Sequence, residues 1–281
     1  MKTSKFKRKL QSDLWNYFWK TYQLPEITLS ELNIPFHKYE PNYLDDICLP
    51  PFKGNKAFED YSTIISIIKG VKPKRILELG TAHGNTVANF CVESNAEIFT
   101  VNALPEQIEG NLITYTLNKS EIGRVYRKYG FIERVVQIYE NTRNLRILKY
   151  IPEGSIDLAF IDACHDADFV VNDFQKILPA LSDRAIVLFH DTHPSVESHL
   201  LDSYLGCMYL RKMGFNIKHI QGTSLGIFDN KQSKTTQPFF DQIRNTAHTK
   251  LGRSAFGSDE AFIKELRWLA SGFIRGKFGI S

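Results

Sequence analysis

The chain has 281 residues, of which 43% are apolar and 23% are charged. This profile is typical of a folded globular protein and argues against a disordered or fibrous one. The 35 lysines and arginines stand against 31 acidic residues, and a formal net charge of +4 is too small to indicate a nucleic-acid partner.

The sequence gives no sign of export or of membrane contact. No stretch approaches the roughly 20 consecutive apolar residues of a membrane-spanning helix, and the basic N-terminus lacks the apolar core of a secretory signal. The four cysteines are far apart and sit in or beside apolar segments, as reduced thiols do. They are Cys48, Cys91, Cys164 and Cys207. We therefore expect a cytoplasmic protein without a membrane partner or a disulfide framework.

Residues 1–56 are predicted to form an N-terminal extension or lid. A basic helix candidate comes first, with Leu10, Leu14 and Phe18 on one face. Prolines then interrupt the segment and exclude a continuous helix. The helix also carries four aromatic residues, namely Trp15, Phe18, Trp19 and Tyr22. These rings leave open the formation of a homo-oligomer through this helix.

Residues 57–230 alternate between short apolar runs and helical patterns. After a helix candidate at Tyr61 to Lys69, five strand-like runs follow: RILELG, AEIFTVNA, RVVQIYE, SIDLAFID and AIVLFHD. Segments long enough for crossover helices separate them, which predicts an α/β fold with a doubly wound, mostly parallel sheet.

The last two runs of this region, FNIKHI and SLGIFD, predict a different connection. Only a short turn separates them, so no crossover helix fits and an antiparallel hairpin at the sheet edge is expected. Residues 231–281 are predicted to form a polar linker and a C-terminal helix that begins near Ser258. The apolar stripe of that helix is expected to dock on the main domain.

A glycine loop follows the first strand of the predicted sheet. Gly80 and Gly84 lie in the turn at the carboxyl edge, where doubly wound sheets bind ligands. The spacing G-x-G-x-x-G is absent, which argues against a hydride-transfer cofactor. Glu78, two residues before Gly80, suits an amino group or a sugar hydroxyl better than a pyrophosphate. The loop favours a nucleoside without clustered phosphates, and an ordinary tight turn is the alternative.

The next two strands also end in polar residues. Asn102 ends the second strand, where folds of this class place a side chain on the ribose hydroxyls. Glu140, Asn141 and Thr142 follow the third strand and are positioned to touch a base. An ordinary surface loop is the alternative for this second group.

Carboxylates and imidazoles follow the fourth and fifth strands. Asp162 and His165 come after the fourth, and His190, Asp191 and His193 come after the fifth. Neighbouring parallel strands lie about 4.8 Å apart, so Asp162 and Asp191 can converge on one metal or acid–base site. Two carboxylates suit Mg²⁺ or Mn²⁺, and an imidazole at His190 shifts the preference toward Mn²⁺, Fe²⁺ or Zn²⁺. His165 is a candidate general base, and helix capping is the alternative role for the whole group.

These segments together resemble class I S-adenosylmethionine-dependent methyltransferases of the branch called methyltransferase family 24. The likeness covers roughly residues 58–229 and rests on the order of several pieces. These are the E-x-G-x-x-x-G loop at Glu78 to Gly84, SEIGRVYRKYGFIERVVQIYENT, FIDACH, FHDTHP and GTSLGIF. The resemblance implies a Rossmann-like, seven-stranded sheet whose last strand is antiparallel.

The resemblance also implies roles for individual residues. The cofactor S-adenosylmethionine would contact Glu78, Gly80, Thr81, Gly84, Asn102, Asn141, Thr142 and Asp162. Asn102 and Asn141 replace acidic residues that the family usually has at these two positions. Metal-dependent relatives place ligands at the positions of Asp162 and Asp191, and His165 has the spacing of their base. His190 stands where they have a further acidic ligand.

The leading hypothesis is methyl transfer from S-adenosylmethionine to the oxygen of a small hydroxylated substrate, a sugar or a natural product. A divalent Mg²⁺ or Mn²⁺ ion held by Asp162, His190 and Asp191 would assist, with His165 and Asp162 as the catalytic residues. The alternative is a regulatory or scaffolding protein that binds the cofactor without turnover, motivated by Asn102 and Asn141. Nucleic-acid methylation is disfavoured, because the sequence has no N-P-P-Y-type motif and no long basic stripe.

Overall fold

The computed structural model describes residues 24–41, 43, 59–108, 116–192 and 202–231. The chain divides into two units, one of residues 25–237 and one made of residues 1–24 with 238–281. The predicted N-terminal and C-terminal helices, Cys48 and His193 lie outside the described residues. The boundaries of the extension, the main domain and the linker stay predictions.

A twisted sheet of eight strands runs through the described part of the chain. In chain order the strands are β1 (Glu26–Ile27), β2 (Arg75–Leu79), β3 (Glu97–Val101), β4 (Val135–Ile138), β5 (Ile156–Ile161), β6 (Leu181–Phe189), β7 (Ile217–Ile220) and β8 (Gly226–Asp229). Their spatial order is β1-β7-β8-β6-β5-β2-β3-β4. All neighbouring pairs are parallel except those that involve β8, which is antiparallel to β6 and to β7. The predicted doubly wound α/β sheet with its antiparallel β7–β8 hairpin is confirmed.

The expected number of seven strands is wrong by one. The additional strand, β1, pairs in parallel with β7 and covers its outer edge. The His219 amide donates to the Pro25 carbonyl at 2.8 Å, and the Gln221 amide donates to the Ile27 carbonyl at 3.0 Å. These bonds satisfy backbone groups that an open edge would leave unpaired. A strand of two residues is too short for the alternation that reveals strands in a sequence.

Helices cover both faces of the sheet. They are α1 (Asp60–Val71), α2 (Asn85–Glu93), α3 (Arg124–Lys128), α4 (Ala167–Ile177) and α5 (Asp202–Lys212). The predicted helix at Tyr61 to Lys69 lies within α1. Because successive strand residues point to opposite faces, Leu188 of β6 joins the apolar cluster under α1 and α2. Its neighbour Phe189 packs instead on Phe174 of α4, with ring centroids 5.5 Å apart.

No helix among the described residues is both long and apolar enough to cross a membrane. The cysteines at 91, 164 and 207 are buried free thiols, in keeping with the packed, reduced state expected for them.

Helices α4 and α5 approach each other closely at Gly206. A side chain at this position should therefore lower the stability of the fold. A Cβ at this position would lie 2.7 Å from Cβ of Val170 and 3.1 Å from the carbonyl oxygen of Ala167. Alanine is favoured over glycine in helices by about 1 kcal/mol, but overpacking costs about 1–3 kcal/mol. We expect Gly206→Ala to lower the free energy of unfolding by about 1 kcal/mol in urea denaturation. The double variant Val170→Gly/Gly206→Ala, which removes the Val170 Cβ, should lose less than the sum of its single changes. A gain in stability for Gly206→Ala would contradict this packing.

Candidate active site

Loops at the carboxyl ends of β2, β3, β5 and β6 form one continuous rim. Backbone hydrogen bonds extend the sheet beyond the strands and hold these loops in register. The Asp162 amide donates to the Leu79 carbonyl at 2.8 Å, and the His190 amide donates to the Ile161 carbonyl at 3.0 Å. The predicted convergence of the glycine loop and the two acidic strand ends on this edge therefore occurs in the structure.

The glycine loop depends on the absence of a side chain at Gly80. Its φ angle is +105°, and a Cβ there would lie 2.0 Å from the carbonyl oxygen of Asp162. Gly84 has a φ angle of +82° and stands immediately before α2. Both positions require glycine, because side chains disfavour this backbone conformation and the space is filled. The loop consequently packs directly on the end of β5.

Glu78 lies beneath the loop and not on its surface. The residue is 1% exposed and accepts a hydrogen bond of 2.7 Å from the Thr100 hydroxyl. Burial, together with the negative charge of Asp162, raises the pKa of Glu78 well above its ordinary value, against the hydrogen bond from Thr100. The Thr81 and Thr100 hydroxyls are 2.7 Å apart. This buried network supports the loop from below.

A cleft opens between the loops at the carboxyl edge of the sheet, the place where doubly wound sheets bind their ligands. It is lined by Gly80, Ala82, Val101, Asn102, Ala103, Ile108, Asn141, Thr142, Asp162, Ala163, Cys164 and Phe169. Five of the eight residues predicted to bind the cofactor are among them, namely Gly80, Asn102, Asn141, Thr142 and Asp162. The other three, Glu78, Thr81 and Gly84, do not line this cleft.

The two asparagines of the cleft are engaged in holding loops. Oδ1 of Asn102 accepts from the Ala82 amide at 3.0 Å, and Nδ2 of Asn102 donates to the Ala103 carbonyl at 2.8 Å. Nδ2 of Asn141 donates to the Gln107 carbonyl at 2.9 Å, and Oδ1 accepts from the Arg143 amide at 3.0 Å. Each side chain thus ties together the walls of the cleft in addition to facing it.

An acid–imidazole cluster lies beside the cleft. Asp162, His165 and Asp191 each place one metal-ligating atom within 4.8 Å of the others. Nε2 of His165 is 3.3 Å from Oδ1 of Asp162 and 3.5 Å from Oδ2 of Asp191. Asp191 has a φ angle of +54°, in the left-handed region that is unusual for a residue with a side chain. Asp162 belongs to both the cluster and the lining of the cleft.

His190 faces the same two carboxylates. Its Nδ1 is 3.2 Å from Oδ1 of Asp162 and 3.4 Å from Oδ1 of Asp191. Burial lowers the pKa of His190, but the negative charges of Asp162 and Asp191 outweigh it and raise the pKa well above the ordinary value. Burial raises the pKa of Asp162, but the charge of His190 and a hydrogen bond from His165 outweigh it and hold the pKa well below the ordinary value.

One further acidic residue lies at this centre and is not indicated by any sequence motif. Asp60, the first residue of α1, has Oδ2 at 3.7 Å from Nε2 of His190. Its carboxylate also accepts from the Ser224 amide at 2.8 Å and from the Ser224 hydroxyl at 2.6 Å. The only signal in the sequence was an acidic residue at a helix start, and that feature is too common to indicate a site.

The chemistry of these donors fits a divalent cation. Carboxylate oxygens and imidazole nitrogens are ligands of Mn²⁺, Fe²⁺ and Zn²⁺. Nδ1 of His190 is buried and has no hydrogen-bond partner in the described part of the chain, and such an orphaned atom is unusual in a folded protein. The cleft in turn fits a nucleoside, because small residues such as Gly80, Ala82 and Ala163 let the backbone approach a ligand closely.

Behind the cleft lies a buried acid, Asp173 of α4, with no exposed surface. Thr142, which lines the cleft, and Asn172 both hydrogen bond to its carboxyl group. Oδ2 of Asp173 has no hydrogen-bond partner among the described residues. Burial raises the pKa of Asp173 to about 7, against the opposing effect of these hydrogen bonds.

Comparison with known families identifies part of this region. Residues 77–192 match the model of methyltransferase family 24, described as a methyltransferase domain. The segment includes the glycine loop, both acidic strand ends and the cleft between them. The resemblance drawn from the sequence is confirmed over these residues.

Individual similar proteins cover limited parts of the chain. An uncharacterized protein of Sinorhizobium fredii, y4gI, is 29% identical in an alignment of 140 residues that covers 45% of this chain and 14% of that protein. This chain thus matches a small part of that relative's length. The SAH-bound methyltransferase PaMTH1 of Podospora anserina is 22% identical, with a TM-score of 0.45 over 62% of this chain and 78% of that one. The O-methyltransferase TomG of Streptomyces achromogenes, in complex with SAM, is 13% identical, with a TM-score of 0.44 over 64% and 82%.

The raised pKa of Asp173 predicts a pH-dependent stability. The folded state holds the proton up to about pH 7, whereas the unfolded state loses it near pH 4. The free energy of unfolding therefore falls as the pH rises from about 4 to about 7, and it is constant above pH 7. The amide in Asp173→Asn does not titrate. The stability of this variant minus that of the wild type should therefore increase by on the order of 2–4 kcal/mol as the pH is raised from 4 to 8. Denaturant titrations at both pH values measure this difference.

Asp157→Asn is the matched control for this measurement. Burial raises the pKa of Asp157, but hydrogen bonds from Arg184, Lys74 and Ser182 hold it below the ordinary value. Its carboxylate therefore already stabilises the fold above about pH 4. The difference in stability between Asp157→Asn and the wild type should change little between pH 4 and pH 8, and in the opposite direction to that of Asp173→Asn. A difference between Asp173→Asn and the wild type that does not change with pH would contradict the assignment.

Proposed function

We propose that this chain, whose residues 77–192 match the methyltransferase-domain model, transfers the methyl group of S-adenosylmethionine to a hydroxyl oxygen of a small molecule such as a sugar or a natural product. The observation that carries the proposal is the double position of Asp162. This residue lines the cleft beside the glycine loop, and its carboxylate belongs to the cluster with His165 and Asp191. A hydroxyl group held by the cluster would therefore stand at the edge of the cofactor cleft.

Two sets of side chains would hold the reactants. The cofactor would lie along Gly80 and Ala82, with the base between Asn141, Thr142 and Phe169. Asp162, Asp191 and His190 would hold a divalent cation. The bound cofactor supplies an electrophilic methyl group, and the cation supplies a positive charge that orients and acidifies the acceptor hydroxyl.

The remaining work of the chain is positioning and proton acceptance. Nε2 of His165 faces both carboxylates of the cluster, and an imidazole can accept a proton near neutral pH. His165 would take the proton from the acceptor hydroxyl as the oxygen attacks the methyl carbon in line with the departing sulfur. Alignment of the two reactants in one site removes much of the entropic barrier to this step.

A second candidate function is binding of the cofactor without turnover. Asn102 and Asn141 support it, because both amide groups are uncharged and already hydrogen bonded to the backbone. Such a protein would use the occupied cleft as a regulatory or scaffolding element. It differs from the enzyme in one measurable respect, the absence of any methylated product.

Calorimetric titration of the full chain with S-adenosylhomocysteine tests the cofactor assignment. We expect binding of this nucleoside and no binding of NAD, and failure to bind S-adenosylhomocysteine would overturn both candidate functions. A transfer assay with methyl-labelled S-adenosylmethionine and a panel of hydroxylated acceptors, with Mn²⁺, Mg²⁺ or a chelator, then separates them. A labelled product supports the enzyme, and cofactor binding without product from any acceptor favours the second candidate.

His165→Gln tests the proposed proton acceptor. The side chain does not line the cofactor cleft, so the affinity for S-adenosylhomocysteine should be unchanged. Loss of a general base lowers kcat by about 10²–10⁴-fold, and we expect a fall in this range in the transfer assay. The exposed His37 serves as the control, and His37→Gln should keep full activity. Wild-type kcat in His165→Gln would remove this residue from the mechanism.

Asp162→Asn tests the proposed cation site. Replacement of a ligating carboxylate by an amide should weaken Mn²⁺ binding by at least about tenfold, as measured by calorimetry. Asp157 lies on the same strand but at its opposite end, where it accepts from the Lys74 amide at 2.8 Å. Asp157→Asn should leave Mn²⁺ affinity unchanged. Equal Mn²⁺ affinity in Asp162→Asn and the wild type would contradict the ligand assignment.

A further inference from the structure

Asp60 is held in place by hydrogen bonds from a residue outside the cluster. Both of its carboxylate oxygens accept hydrogen bonds from Ser224, Oδ1 from the amide and Oδ2 from the hydroxyl. Its side chain is 17% exposed. The carboxylate therefore has a fixed orientation that does not depend on any ligand.

The same serine also holds the loop after β6. The Thr192 amide donates to the Ser224 carbonyl at 2.8 Å, and the Thr192 hydroxyl donates to the same carbonyl at 2.9 Å. Residues 190–192 are thus held at one end by the hydrogen bonds of Thr192 to Ser224. At the other end His190 contacts the carboxylate of Asp60. This brace of Asp60, Ser224 and Thr192 encloses Asp191, which has the left-handed backbone conformation.

The brace determines which nitrogen of His190 faces the cluster. Nε2 lies 3.7 Å from the Asp60 carboxylate, an acceptor that favours a proton on that nitrogen. When a cation displaces the proton on Nδ1, the remaining ring proton is on Nε2 and the lone pair of Nδ1 faces Asp162 and Asp191, where this nitrogen has no hydrogen-bond partner in the described part of the chain. A carboxylate behind a ligating imidazole is a common arrangement at metal centres, where it fixes the ring and raises its basicity.

We propose that Asp60 is a positioning residue that holds Nδ1 of His190 at the Asp162–Asp191 carboxylates, and that this imidazole makes the centre select transition-metal dications over Mg²⁺. The inference rests on the proposed function, because it assigns a metal class to the same cluster. Oxygen ligands alone suit Mg²⁺, whereas an imidazole among them favours Mn²⁺, Fe²⁺, Co²⁺ and Zn²⁺. Asp60 does not touch the metal and acts only through the ring.

Asp60→Asn tests the positioning role of Asp60 most directly. An amide of the same shape cannot accept at both terminal atoms, so its NH₂ group must face either the Ser224 amide or the side of His190. Mn²⁺ affinity should fall about tenfold, whereas Mg²⁺ affinity should change less than twofold. His190→Gln should show the same selective loss, and the double variant Asp60→Asn/His190→Gln should lose no more than His190→Gln alone.

Calorimetric titrations of the full chain with MnCl₂ and MgCl₂ measure these affinities, and the visible absorption spectrum of the Co²⁺ complex reports on the ligand set. We expect the wild type to bind Mn²⁺ at least tenfold more tightly than Mg²⁺. The Co²⁺ spectra of Asp60→Asn and His190→Gln should shift in the same direction. Ser224→Ala removes one anchor of Asp60 without altering any carboxylate, and its loss of Mn²⁺ affinity should be intermediate. Asp157→Asn, with its carboxylate at the opposite end of β5, should match the wild type.

Several outcomes would overturn the inference. These are equal affinity of the wild type for Mn²⁺ and Mg²⁺, additive losses in the double variant, or unchanged Mn²⁺ affinity in both Asp60→Asn and Ser224→Ala. If Asp60→Asn does not fold, Ser224→Ala and His190→Gln decide the question. Titration of the same samples with S-adenosylhomocysteine separates this inference from the proposed function. Binding of the nucleoside without Mn²⁺ selectivity removes the inference alone, and Mn²⁺ selectivity without nucleoside binding removes the proposed function alone.

Discussion

The contact between Gly80 and the end of β5 sets the geometry of the whole rim. Because Gly80 has no Cβ, its backbone lies against the carbonyl of Asp162, and the glycine loop and the acidic strand end become one continuous surface. The Asp162 side chain can then face the cluster while the same residue lines the cleft. A bulkier loop would separate these two regions, and the two reactants of a transfer reaction would no longer meet.

Charge compensation is the second constraint on this rim. Asp162 and Asp191 lie within a few ångströms of the imidazole rings of His165 and His190, in a part of the structure largely removed from water. Asp60 lies 3.7 Å from His190 on its other side. Buried carboxylates are tolerated only when positive charge or hydrogen bonds accompany them. The direction of the pKa changes at Asp162 and His190 reflects this mutual support.

The sequence predicts the features that depend on strand pattern and strand order. Crossover-length spacing between apolar runs implies parallel strands, and parallel strands bring their carboxyl ends together, so Asp162 and Asp191 could be placed on one rim from the sequence alone. The sequence does not predict contacts that join distant segments. Asp60 and Ser224 meet only because α1 and the β7–β8 turn pack at the same end of the sheet. Nor does a pattern of residue types reveal that Glu78 is buried beneath its loop, because strand residues before a turn occur on either face of a sheet.

The distance along the chain between Asp60 and Ser224 has a consequence for biosynthesis. The two residues are 164 positions apart, and Ser224 lies in the turn between β7 and β8. During translation the first part of the sheet can form as it leaves the ribosome, but the brace around Asp191 cannot close until the β7–β8 hairpin has emerged. A nascent chain that already contains the glycine loop and every carboxylate of the cluster therefore still lacks the ordered centre. Assembly of that centre therefore waits for the β7–β8 hairpin.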